Sequence, residues 1–151
     1  MLTAWRIVSR RWAETAFDGE GARLYGGRWN SPGRAVVYLA DSRALAALES
    51  LVHHPSLPDL SYVRFPVRFK AALVEEISTA GLEAYIQSTV VAPETQAVGD
   101  LWLRQGRKPV LKIPSAIIPE EFNYLLNPAH PKIDQIQIEA AEPFAFDPRL
   151  V

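Results

Sequence analysis

The chain has 151 residues, a formal net charge of −1, three histidines and no cysteine. That length suits a single domain spanning residues 1–151, which buries roughly 68–70% of its unfolded surface, enough for a core with a cleft. The charge gives no basic field for nucleic acid, and the missing thiols exclude disulfides, thiolate nucleophiles and cysteine-based zinc sites.

The N-terminal stretch MLTAWRIVSRRW lacks an apolar run of signal-peptide length, and no stretch approaches a membrane span. The expectation is a soluble cytoplasmic protein. Trp5 to Val8 reads as a first strand carrying Arg6, and Phe17 to Gly27 as a glycine-rich loop delivering Arg23, Tyr25 and Arg28. Gly26-Gly27 permits a positive φ or a close backbone approach, and Asn30-Ser31-Pro32-Gly33 reads as a second turn. Ala35 to Ala40, with Tyr38, is a short apolar run and a buried strand. Asp41 or Ser42 can cap the helix that follows, which Pro55 stops.

Beyond it, His54 to Asp59 reads as a turn, and Tyr62 to Phe69 as a strand in which Pro66 favours an edge or a bulge. Ala71 to Ile77 is undecided between strand and helix. Thr95 to Gln105 reads as a helix with Val98, Leu101 and Trp102 on one face and Gly106 as its C-cap. Pro109 to Ile113 is a strand ending at Pro114-Ser115. Glu120 to Pro131 reads as a proline-punctuated loop or short helical turn, Ile133 to Ile138 as a half-buried final strand, and the tail as irregular. Strands outnumber helices and the two are mixed along the chain, so the fold class is α+β.

Among chemistries, His53, His54 and His130 lack metal-site spacing, and Ser115 has no nucleophile elbow, although His130 could approach it. No phosphate-binding P-loop or dinucleotide fingerprint is present. What remains is an arginine on a glycine-rich loop, a strand tyrosine, a helix glutamate and a serine at a strand end. Those groups suit an anionic, sugar-containing ligand: guanidinium grips phosphate bidentately, tyrosine stacks on a flat ring, and carboxylate holds ribose hydroxyls or a developing positive charge.

Each also has a plainer reading. Glu49 lies at the edge of the stripe formed by Leu45, Leu48, Leu51 and Val52, where it faces a cleft or simply pairs with Arg43 or His53. Arg28 could pair with a loop acid, Tyr38 could be core, and Ser115 could cap the turn into Ile117.

The segments WRI at Trp5–Ile7, GGRWNSPGRAVVYLA at Gly26–Ala40, ALESLVHH at Ala47–His54, VGDLWL at Val98–Leu103 and IPSAIIPEEFNYLLNPAHP at Ile113–Pro131 carry a resemblance over essentially the whole chain. Together with the closing strand near Ile136, they resemble the RES family of toxins from toxin–antitoxin pairs, with Lys70 to Thr95 matching poorly. The resemblance implies a single domain related to ADP-ribosyltransferases, with a central mixed sheet, flanking helices and an NAD-binding cleft.

It places the family's arginine, tyrosine, glutamate and serine on Arg28, Tyr38, Glu49 and Ser115, with Arg6 and Asn123 as further cleft-lining candidates. It also implies NAD as substrate rather than prosthetic group, no metal, and cleavage of NAD by water or phosphate. Transfer of ADP-ribose to a protein is the alternative. The implied partner is a helical antitoxin with an Xre-type DNA-binding domain that blocks the cleft, with a homodimer inside the complex. An RNA-cleaving toxin and a non-catalytic binding protein are the rival classes, and the near-neutral charge argues against the first.

Overall fold

The computed structural model describes residues 1–53 and 61–150. In chain order these form β1 (Leu2–Ser9), α1 (Glu20–Tyr25), β2 (Val37–Ala40), α2 (Arg43–His53), β3 (Tyr62–Phe69) and β4 (Val74–Glu76). Then follow α3 (Glu83–Gln87), α4 (Pro93–Gln105), β5 (Val110–Pro114), β6 (Phe122–Leu126), β7 (Gln137–Ile138) and β8 (Glu142–Phe144), with short 3-10 turns between. The turn expected from His54 to Asp59, and Pro55 as helix stop, lie outside the described residues.

The strands join in one mixed sheet of order β4-β5-β6-β2-β1-β3-β7, with β8 also on β3. Among the described strands only β4 and β5 run parallel. The α+β class with a central mixed sheet is therefore the observed architecture. Side chains alternate between faces along a strand, so register decides which residues can meet. Trp5 lies opposite Ala40, Ala40 opposite Asn123, Tyr38 opposite Leu125 and Asn123 opposite Ile113. Trp5, Tyr38, Ala40, Ile113, Asn123 and Leu125 thus share one face.

At one end of that face α2 packs Leu45 and Ala46 onto Trp5, Ile7 and Ala40. At the other end α4 packs Trp102 and Leu103 onto Leu111, Ile113, Leu125 and Trp29. The opposite face is filled by Ala4, Val37, Leu39, Val67, Phe69, Tyr124 and Leu126. The sheet is covered on both sides, as the apolar runs in its central strands require.

Several expectations change. Glu120 to Pro131 contains β6, a central strand paired on both edges; Tyr124, Leu125 and Leu126 are all buried, and a strand buried on both faces shows no polar alternation to read. The glycine-rich loop holds α1, one short helix between Gly19 and Gly26, both at positive φ. Ala71 to Ile77 resolves into a 3-10 turn followed by β4.

The α4 face is also shifted from the one expected: Trp102 is buried, but Leu101 is exposed and Gly99 and Leu103 are buried instead. The final strand is shorter than Ile133 to Ile138, with a 3-10 turn at Ile133–Gln135 and β7 beyond it. The tail is not wholly irregular, since it supplies β8. Pro66 sits inside β3 where β7 ends and β8 has not begun, and its carbonyl accepts from the Glu139 N–H at 2.9 Å. The missing donor falls at that break, so it costs no ladder bond.

Leu125, with no exposed surface in the middle of β6, should be a sensitive test of this packing. Leu125→Ala is expected to lower unfolding free energy by about 2–5 kcal/mol in urea titration, whereas Leu101→Ala on the exposed side of α4 should stay within about 0.5 kcal/mol.

Candidate active site

Gly26 closes α1 at φ +73° with its N–H on the Ala22 carbonyl. The chain then folds back on itself: Gly27 N–H donates to the Asn30 carbonyl at 2.9 Å, and Asn30 N–H to the Gly27 carbonyl at 3.4 Å. Two residues stand at the tip of this turn. Trp29 goes into the core at 2% exposure, and Arg28 stays partly exposed.

Tyr38 lies beneath the turn. Its hydroxyl donates to Asn30 Oδ1 at 2.6 Å and accepts from the Trp29 N–H at 3.2 Å. A Cβ on Gly27 would stand 2.6 Å from that hydroxyl, so the second glycine is required by close approach. Burial pushes the phenol well above its ordinary range, with the Trp29 hydrogen bond opposing. Arg28 Nη1 donates to the Tyr85 carbonyl of α3 at 3.2 Å.

Glu49 comes from α2, which Ser42 caps by accepting from the Leu45 N–H at 3.1 Å; Ser42, not Asp41, fills that role. The Glu49 Oε1 accepts from the Ser115 hydroxyl at 3.3 Å. Ser115 is fully buried, and its oxygen accepts from the N–H groups of Ile117 and Ile118 at 3.0 and 3.1 Å. It therefore caps its turn and holds Glu49 at once. Asn123 Nδ2 donates to the Leu39 carbonyl at 3.1 Å, and the Asn123 amide is near enough to Glu49 to favour its charged form.

Burial raises the Glu49 carboxyl above the usual range; His53 charge, the Asn123 amide, the Ser115 hydrogen bond and Arg28 charge partly oppose it. Of the plainer partners, Arg43 instead lies over the Trp5 ring at 4.0 Å.

Tyr38, Glu49, Ser115, Asn123 and the Arg28 turn thus gather on one sheet face. Arg6 does not join them. It is one residue out of phase with Trp5 and lies on the other face, where Nε donates to Ala16 O at 2.5 Å and Nη1 to Tyr38 O at 3.0 Å. Burial lowers its pKa to about 10, with Asp18 opposing.

His130 does not approach Ser115 either: its ring takes the Gly106 carbonyl at 2.8 Å and the Lys132 N–H at 3.0 Å. Among the described residues no group of three histidine, aspartate or glutamate side chains could hold a metal, and no helix is long and apolar enough to cross a membrane. Asn30, buried completely and bonded to Tyr38, Ala22 and Ser31, is a member that sequence reasoning read only as a turn residue. The arrangement offers a cation, a phenol edge and a shielded carboxylate, a set suited to an anionic ligand that develops positive charge.

The model of the RES domain matches residues 3–147. The chain is 37% identical to a Sphingobium protein named "Prs ADP-ribosylating toxin", over 97% of this chain and 95% of that one. It is 38% identical to a Yersinia enterocolitica protein named "Toxin Res", over 99% of each. Its fold matches a chain in the crystal structure of the M. tuberculosis MbcT-MbcA toxin-antitoxin complex with a TM-score of 0.78 and 22% identity, covering 95% of this chain and 84% of that one.

The raised Glu49 pKa has a sign that stability can read. Below the ordinary carboxylate range both folded and unfolded chains carry the proton. As pH rises past the unfolded value and through the folded one, the folded state loses stability relative to the unfolded. Glu49→Gln removes this penalty. Its melting temperature should match wild type near pH 4 and exceed it at pH 7.5; thermal melts showing the same difference at both would contradict the burial argument.

Proposed function

This chain belongs to the RES domain family, and we propose that it is the toxin of a type II toxin–antitoxin pair that inhibits growth by cleaving the nicotinamide–ribose bond of NAD. The observation that carries the reading is the Glu49 carboxylate, shielded beside Ser115 and Asn123 on the same face as the Arg28 turn. In this reading Arg28 holds the diphosphate or the adjoining ribose, and the exposed part of Tyr38 lies against the nicotinamide ring. Glu49 binds the nicotinamide-ribose hydroxyls and stabilises the oxocarbenium-like transition state as nicotinamide departs.

No general acid is required, because the nicotinamide ring is already cationic and leaves neutral. Ser115 and Asn123 act as donors that orient the carboxylate, and the Ser115 oxygen is already occupied by two N–H groups, which argues against a nucleophilic role.

Water, phosphate and protein are the acceptors consistent with this site. The name of the Sphingobium relative favours a protein acceptor as the second reading. The solved toxin–antitoxin complex of the same fold supports an antitoxin as partner, proposed here as an Xre-type protein covering the cleft, with a homodimer in the assembly.

The test is nicotinamide release from NAD by the purified chain, with and without phosphate, followed by labelled NAD with cell extract. Release in either buffer is expected, phosphate dependence would identify phosphorolysis, and label retained on a protein would identify transfer. Glu49→Gln should lower turnover at least about 100-fold while the fold persists, on the scale of removing one transition-state electrostatic contact. Wild-type turnover should fall on acidification through a pKa above the ordinary carboxylate range, because only ionised Glu49 stabilises the cation. Arg28→Lys should weaken NAD binding, since a point charge does not reproduce the planar fork. Unchanged turnover in Glu49→Gln would remove that residue from the mechanism.

A further inference from the structure

The VGDLWL segment lies on α4, outside the groups assigned above, yet α4 touches every residue of the arginine turn. Thr95 Oγ1 donates to the Arg28 carbonyl at 2.6 Å. Gln96 Nε2 donates to the carbonyls of Gly27 and Asn30 at 3.1 and 3.2 Å. Asp100 takes both hydrogen-bond donors of Ser31, accepting from its N–H at 3.0 Å and from its hydroxyl at 2.5 Å. Between these grips, a Cβ at Gly99 would fall 1.7 Å from the Trp29 carbonyl; the helix backbone lies directly on the turn.

Such a set of bonds is more than packing demands. Trp29 and the Tyr38 hydroxyl anchor the turn from beneath, at Trp29 and Asn30, but neither holds the Arg28 backbone or Ser31. Side-chain bonds from α4 to residues 27, 28, 30 and 31 complete the hold, and a guanidinium binds bidentately only when its plane is held. We propose that the Thr95-Gln96-Gly99-Asp100 face of α4 is the positioning element that aims Arg28 at the diphosphate of the substrate, with Asp100 its principal residue. The inference rests on the NAD reading. It separates two duties within the site: α4 acts on affinity through Arg28, and α2 acts on turnover through Glu49.

The experiment measures NAD kinetics and ADP-ribose binding by calorimetry for the full chain. Asp100→Ala should raise the KM for NAD and weaken ADP-ribose binding about tenfold or more, the scale of hydrogen bonds to a charged group, with the loss falling on KM rather than kcat. Asp100→Asn keeps an acceptor for the Ser31 N–H and should recover most of the affinity. In an Arg28→Ala background, Asp100→Ala should cost nothing further, because a residue acting through Arg28 has nothing left to position. Gln96→Ala, which removes two bonds from a half-buried side chain without opening the core, serves the same cycle if Asp100→Ala fails to fold.

Additive losses in the Arg28→Ala background, or equal losses in kcat and affinity, would reduce α4 to a structural support and overturn the proposal. A wild-type chain that binds neither NAD nor ADP-ribose would overturn the NAD reading and this assignment with it. Wild-type binding that survives Asp100→Ala unchanged would overturn the positioning role alone.

Discussion

The hydroxyl of Tyr38 is the point on which the site is hung. It reaches from the central strand β2 into the turn above and completes two hydrogen bonds there, to Asn30 and from Trp29. A buried hydroxyl left without partners would cost about 1–3 kcal/mol, so strand and turn are locked to one another. The lock demands a glycine at position 27 and sends Trp29 inward. Arg28, next to Trp29 at the tip, is left partly exposed, with its guanidinium on the Tyr85 carbonyl. The place of the turn that carries the cation therefore follows from the Tyr38 hydroxyl and the glycine it requires.

A second constraint is parity. Tyr38 and Asn123 share a sheet face because Tyr38 pairs with Leu125 and Ala40 with Asn123. Ser115 follows β5 in the same phase as Leu111 and Ile113. On this face α2 and α4 cover separate hydrophobic clusters, and the polar groups occupy the interval between them. The opposite face is closed by an apolar cluster, and there Arg6 spends its guanidinium on two backbone carbonyls. A buried arginine with partners of that kind ties the segment after β1, at Ala16, to the backbone of β2, on the face away from Glu49 and Asn123.

These two constraints explain what could be read from the sequence. Strands β1, β2, β3 and β5 and helices α2 and α4 announce themselves by apolar runs, a serine cap and a C-terminal glycine. The β6 segment does not, since Glu120, Glu121, Asn127 and Pro128 crowd its ends and its interior is buried on both sides. The short α1 is masked by the glycines that bound it. The four residues assigned by family resemblance do converge, but the contribution of Asn30 needed the structure, because a turn asparagine and a fully buried one look alike in sequence. Arg6 shows the converse: a polar residue in a strand adjoining the site strand falls on either face until register is known, and register was not legible.

The cost of the arrangement is concentrated on Glu49. Its carboxylate is pushed toward the protonated form by burial, and Ser115 and Asn123 offset only part of that push. A residue selected for stability alone would be apolar or would point outward with Leu48 and Val52, which are exposed on the same helix. The low-polarity surroundings that penalise the anion also strengthen its attraction for a cation formed beside it. In the proposed reaction positive charge moves from the nicotinamide ring onto the ribose as nicotinamide leaves, so a carboxylate placed at the ribose gains attraction as the transition state forms. The donors at Ser115 and Asn123 then have to be strong enough to keep the carboxylate ionised and oriented, yet leave one of its edges unspent. Anchoring them in a fully buried serine and a central strand meets both demands, because neither donor has to reorganise when the charge appears.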